Sequence, residues 1–239
     1  MLYSCGAHID SHGNISGDRA GDNSGHEVSI TAYYNAPWMG VLRYCGKRRL
    51  RVRNRMMKCA YRLAQCNKVG YDQSERASLY NQLSKIKWLL RKVPKGITLC
   101  ETDCSAFVGC CVNVAMVPLK LASPINPYIW TGNEREELQN RGFKWVTSGI
   151  DFTTGKGLFP GDVLFVHNQN RQHTEIFMGD RATGQLYNAT SKDEKSVDEV
   201  VHEVINGAFG DGEERVKALK RAGYDPEEVQ RRVNELWNS

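Results

Sequence analysis

Apolar residues recur near helical spacing in two stretches whose interiors lack Gly and Pro, residues 46–67 and 74–90, with Leu50, Met56, Met57, Tyr61 and Leu63 marking the first. The pattern predicts two helices joined at Val69-Gly70-Tyr71-Asp72. Before them, residues 1–35 are rich in Gly, Asp, Asn and Ser, which predicts short strands and loops. After Gly157 the texture changes. Asp162-Val163-Leu164-Phe165-Val166 and Thr174-Glu175-Ile176-Phe177-Met178 are short apolar runs bounded by turn residues, and they read as a hairpin. A third run, residues 185–189, extends it to an antiparallel meander.

The last segment predicts three short helices over residues 197–205, 213–222 and 226–237, with Asp225 as the cap and Pro226 in the first turn of the third. The expected class is therefore α+β. A large domain over residues 1–190 is followed by a linker at 191–195 and a small three-helix bundle at 196–239.

Charge supports that division, because acidic side chains outnumber basic ones after residue 190 while the first 190 residues are strongly basic. Lys47, Arg48, Arg49, Arg51, Arg53 and Arg55 crowd the start of the first predicted helix. Charge runs are usually solvated helix faces, and without interleaved aromatics this one does not point to nucleic acid. No stretch approaches the roughly 18 apolar residues of a membrane span, and the N-terminus lacks the basic and apolar regions of a signal peptide. Synthesis in the cytoplasm follows, so the eight cysteines are expected as free and mostly buried thiols.

Within Asp103-Cys104-Ser105-Ala106-Phe107-Val108, polar residues give way to an apolar helical run, which puts Cys104 in the first turn of a helix. A helix N-terminus favours the thiolate, the reactive form of cysteine. His173 opens the second strand of the hairpin, where an imidazole has little positional freedom and can serve a thiol as general base. His167 is the rival base, but it runs into the loop-like Asn168-Gln169-Asn170. Asn188, on the third strand, is the candidate to hold the other ring nitrogen.

Three motifs in order, Asp103-Cys104-Ser105, Pro160-Gly161-Asp162-Val163-Leu164-Phe165 and His173-Thr174-Glu175-Ile176-Phe177-Met178-Gly179, resemble those of the NlpC/p-sixty papain-like cell-wall peptidases. The resemblance covers about residues 98–190, with Ala106 where many members have Gly. It implies a nucleophile helix packed on an antiparallel sheet, Cys104 as nucleophile, His173 as base and Asn188 as orienter. Asp103 and Ser105 beside the nucleophile, with the aromatics Tyr34 and Trp38, are the expected substrate contacts, although aromatics at that spacing also suit a core.

Residues 204–236 resemble one Cpl-seven-type cell-wall-binding repeat, in which Asp211, Gly212 and Arg215 would touch the wall polymer. Together the two resemblances imply a phage endolysin that reaches peptidoglycan after release from the cytoplasm. It would cut the γ-D-glutamyl to diamino-acid bond without metal or cofactor, with neither nucleic acid nor membrane as partner. An N-acetylmuramoyl-L-alanine amidase would use the same dyad, and a non-catalytic wall-binding protein would leave Cys104 structural. A single repeat binds weakly unless chains associate, so a homo-oligomer stays open. A zinc site built from Cys5, His8, His12 and His26 is disfavoured, since their spacing matches no paired-ligand pattern. Cys100 reads as a packing thiol rather than a redox partner for Cys104.

Overall fold

A computed structural model describes residues 1–9, 20–180, 197–205, 207–222 and 224–237. His12, Asn188, the expected strand at 185–189 and the linker at 191–195 lie outside the described residues. The chain divides into two compact units, Met1–Asn188 and Ala189–Ser239. The architecture is mixed α+β, and no helix among the described residues is long and apolar enough to cross a membrane.

The first unit is organised by a six-stranded sheet in the order β2-β1-β8-β7-β3-β6, in which every neighbouring pair is antiparallel. The strands are β1 (Tyr3–Ala7), β2 (Val28–Ala32), β3 (Gly40–Tyr44), β6 (Phe143–Val146), β7 (Val163–His167) and β8 (Gln172–Gly179). The hairpin read from the sequence is β7–β8, with Val163 opposite Ile176 and Phe165 opposite Thr174. The free edge of β8 is taken by β1, from the far end of the unit, with Cys5 opposite Ile176.

Alternation along the strands sorts side chains onto two faces. Val163, Phe165, Ile176 and Met178 join the main core beneath the helices, while Leu164, Val166 and Phe177 pack on the other face with Ala36, Trp38, Val41 and Leu158. Two helices cover the first face, α1 (Arg49–Ala64) and α3 (Cys104–Met116), and they pack against each other. In α1 the expected Met56, Met57 and Leu63 are buried together with Val52, Cys59 and Ala60, while Leu50 and Tyr61 are half-buried at the margin of the stripe. All of α3 is buried, as expected of a helix that is apolar on every side. Phe107 is fully enclosed there, and burial of such a ring contributes about 2–3 kcal/mol.

The joint between the two predicted helices is itself structured. Residues Val69–Tyr71 form β4, which pairs in parallel with β5 (Cys100–Thr102), and the second helix shrinks to α2 (Ser78–Lys85). A further helix, α4 (Thr131–Gln139), lies beside β6, β7 and β8.

The basic run is not simply a solvated face. Arg53 is buried and donates to the Pro160 carbonyl at 2.6 and 2.9 Å, and Arg55 donates to the Val114 and Ala115 carbonyls at the end of α3. The last carbonyls of a helix lack partners within it, so the Arg55 guanidinium completes two of those that end α3. Arg43 forms a two-pronged pair with Asp162, at 2.9 and 2.7 Å, where the Gly161-Asp162 motif starts β7. All eight cysteines are free, six of them buried.

The second unit contains α5 (Val197–Ile205), α6 (Gly212–Arg221) and α7 (Pro226–Trp237). Val200, Val201, Val204, Leu219, Tyr224, Val229 and Val233 from this segment form one small core.

Candidate functional site

Asp103 builds the start of α3. Its carboxylate accepts the Ala106 backbone N–H at 2.8 Å and the Ser105 hydroxyl at 3.2 Å, and it forms an ion pair with Arg76. That cap places Cys104 at the first helical position. Ser105 also donates to the Ile129 carbonyl, so the side chains of Asp103 and Ser105 are both buried and used within the fold. Burial pushes the Cys104 thiol well above its ordinary range, helped by the nearby Asp103 and Glu134 carboxyls. The backbone N–H groups of Ser105 and Thr174 reach the sulfur and pull the other way.

The residue before Thr174 is His173. Its ring is on the side of β8 shared with Phe177, stacked on Trp38 with centroids 6.0 Å apart and tilted against His8 at 5.2 Å. Nε2 pairs with Glu175 Oε1 at 2.9 Å. No hydrogen bond joins Cys104 to His173 among the described residues; the Thr174 amide is the link between them.

Glu175 is the centre of this face. The side chain is fully buried, and Oε1 also accepts the Tyr34 hydroxyl at 2.9 Å and lies 3.9 Å from His8 Nδ1. Burial opposes ionisation, but contacts with His173, His8 and Ser4 more than offset it and hold the carboxyl down at about 2. Gly6 of β1 makes room for it, because a Cβ there would stand 2.7 Å from Glu175 Cγ. The two aromatics expected to touch substrate are part of this arrangement. Tyr34 is half-exposed with its hydroxyl on Glu175, and Trp38 is buried against His173 with its indole N–H on the Tyr34 carbonyl.

His8, His173 and Glu175 are also the one group among the described residues whose ligand atoms come close enough for a metal, within 4.8 Å of one another. Of the zinc set weighed from the sequence, only His8 is in it; Cys5 points into the main core and His26 is exposed.

On the α3 side, Glu134 of α4 is fully buried and accepts the Thr174 hydroxyl at 3.1 Å. Burial raises its pKa well above the usual carboxylate range. His167 is the last residue of β7 rather than part of a loop, and its Nδ1 pairs with the Thr131 hydroxyl at 2.9 Å. Sequence reading passed over Glu175 and Glu134. Glu175 shares the alternating face of His173, a signal that was present but looked like ordinary strand patterning; Glu134 had none.

In the second unit a cleft of about 410 Å³ is lined by Val204, Ile205, Gly207, Asp211, Arg215, Gln230, Val233 and Asn234. Arg215 donates to Asp211 at 2.6 Å, to the Gly210 carbonyl at 2.9 Å and to Gln230 at 3.3 Å. Asp211 and Arg215 thus line the cleft together, and Gly212, with φ +53°, opens α6 beside them without lining it.

Residues 4–183, most of the chain, match the family described as Endolysin-like domain. The chain belongs to that family. Residues 198–237 match the CW_7 repeat. A relative named "Lysozyme" from Streptococcus phage Cp-7 is 52% identical over 42 residues, which is 18% of this chain and 12% of the relative. The chain thus covers only a small part of that relative's length. No solved structure matches.

Proposed function

We propose that this chain is an endolysin-type peptidoglycan hydrolase that cuts an amide bond of the stem peptide, the γ-D-glutamyl to diamino-acid bond, with Cys104 as nucleophile and His173 as base. Membership of the endolysin-like family and the CW_7 match support peptidoglycan as the polymer. The observation that carries the chemistry is that the Thr174 amide reaches the Cys104 sulfur while the preceding residue, His173, has its Nε2 held by an ionised Glu175.

A thiol pushed up by burial is protonated at rest and needs a base to become a nucleophile. With Nε2 engaged by Glu175, Nδ1 is the nitrogen left for that role, and it is the one nearer the backbone that touches the sulfur. Hydrogen bonds of this kind tighten when substrate binds. In the reaction, Nδ1 takes the thiol proton as Sγ bonds to the scissile carbonyl carbon, and the Cys104 backbone N–H faces the oxyanion. His173 then protonates the leaving amine, a thioester remains, and water activated by His173 releases the carboxylate. Glu175 fixes the tautomer and balances the imidazolium charge. It fills the place expected for Asn188, which lies outside the described residues.

The arrangement suits a papain-like catalytic domain followed by a small wall-binding helical repeat, acting on the wall after release from the cytoplasm. Asp211 and Arg215 in their cleft are the proposed wall contacts. The test is mass spectrometry of purified peptidoglycan digested by wild type and by Cys104→Ala. New termini at D-glutamate that vanish in the variant establish the endopeptidase, and termini at L-alanine make it an amidase. Cutting by the variant would remove Cys104 from the mechanism.

A further inference from the structure

Trp130 is an aromatic ring that the fold fixes in place yet leaves half-exposed, at 47% of its surface. It stands at the N-cap of α4 with its backbone held from both sides. Its N–H donates to the Asn133 side chain at 3.0 Å, and its carbonyl accepts the Asn133 and Glu134 N–H groups at 3.0 and 2.9 Å. The indole lies over Gly132, where a Cβ would come within 2.3 Å of the ring, so residue 132 has to be Gly for the ring to lie there. The His167 ring meets the indole with centroids 5.6 Å apart and an interplanar angle of 74°. His167 is in turn held by Thr131 through Nδ1, and its backbone N–H meets the sulfur of Met39, itself 46% exposed.

The position ties this platform to the proposed reaction centre. The residue before Trp130, Ile129, accepts the Ser105 hydroxyl and the Arg76 guanidinium through its carbonyl, and Ser105 follows Cys104. One helical turn after Trp130, Glu134 accepts the hydroxyl of Thr174, whose backbone amide reaches the Cys104 sulfur. The His167 imidazole against the ring pairs with the Thr131 hydroxyl at 2.9 Å, and that hydroxyl donates to the Gln172 side chain at 3.4 Å, so three polar groups gather beside Trp130.

A preorganised, half-exposed indole rimmed by hydrogen-bonding groups has the chemistry of a sugar platform: the C–H face of a pyranose lies on the ring while its hydroxyls reach the rim. We propose that Trp130 is the stacking platform of a saccharide subsite that seats an N-acetylhexosamine ring of the glycan strand while the attached peptide lies across Cys104. The proposal rests on peptidoglycan being the substrate, and it assigns glycan recognition to the first unit, independent of the cleft in the second.

Two measurements on the full-length chain test it. With Trp130→Ala, KM for a soluble disaccharide-peptide should rise about tenfold with kcat retained, while the glycan-free stem peptide is cut as by wild type; Trp130→Phe should recover most of the loss. Equal effects on both substrates, or no effect on either, would overturn the subsite. The second measurement needs no turnover. The indole N–H resonance that disappears in Trp130→Phe should shift on titration with soluble N-acetylglucosamine oligomers, and a resonance that stays fixed counts against the proposal. If wild type cuts neither substrate, the reaction assignment fails while the resonance still decides the subsite.

Discussion

The Nε2 atom of His173 and the Oε1 atom of Glu175 lie 2.9 Å apart on one face of β8, with the carboxylate fully buried beneath Tyr34 and beside His8. A buried carboxylate held ionised by its neighbours defines where the imidazole can point. Replacing Glu175 by Gln keeps the shape and removes the charge, and kcat should fall about tenfold or more with KM little changed. Steady-state kinetics on a soluble muropeptide reads this, and a KM effect without a kcat effect would make Glu175 merely structural.

The same residue sets an acid limit on stability. Its folded pKa of about 2 lies below the ordinary 4.5, so the unfolded chain binds the proton more readily. The stabilisation is complete above about pH 4.5 and is lost as the pH falls toward about 2. Denaturant midpoints measured from pH 6 down to pH 3 should fall more for wild type than for Glu175→Gln.

Glu101 behaves in the opposite sense. Burial, with Glu27, Asp72 and Glu75 nearby, lifts its pKa to about 7, while the Gly21 N–H on its carboxylate pulls it down. The folded chain therefore holds this proton longer, and stability is lost as pH rises from about 4.5 through about 7. Glu101→Gln should raise the Tm at pH 8 and change it little at pH 4, which differential scanning calorimetry can read.

Arg43 and Asp162 form a pair with both side chains nearly closed to solvent, and the Asp162 carboxylate also accepts the Phe159 N–H at 2.8 Å. Arg43→Met leaves that carboxylate buried without its cation, so the chain should lose about 3–5 kcal/mol in equilibrium unfolding. The double variant Arg43→Met with Asp162→Asn should recover part of it.

In the second unit, Arg215→Ala should weaken pull-down on purified sacculi, with hydrolysis of a soluble stem peptide unchanged. Arg215 bridges Asp211, Gly210 and Gln230, so circular dichroism is the control for folding. Undiminished retention would place wall contacts elsewhere.

The features legible in the sequence are those written in local pattern. Asp103 before an apolar run marks the cap and hence Cys104 at the head of α3, and alternation marks β7 and β8. What escaped depends on partners distant along the chain. Nothing near Tyr3 or His8 tells that β1 will lie against β8, and so the Glu175 contacts with His8 and Ser4 were invisible. Tyr34 and Trp38 read as cleft walls because aromatics suit both cleft and core, and only the fold puts them on Glu175 and His173. Arg53 and Arg55 looked solvated because the carbonyls that they complete belong to other segments. β4, three residues long, is too short for periodicity to reveal.

The place of β1 between β2 and β8 has a consequence for synthesis. Strand β1 must wait for residues beyond 170 before it acquires its second neighbour, and long-range pairings of this kind form slowly. Ser4, Gly6 and His8 therefore meet Glu175 only when nearly the whole first unit has been translated, so the surroundings of His173 are among the last parts of the unit to form. The wall around Glu175 is thus closed from both ends of the first unit, and only once β8 is made.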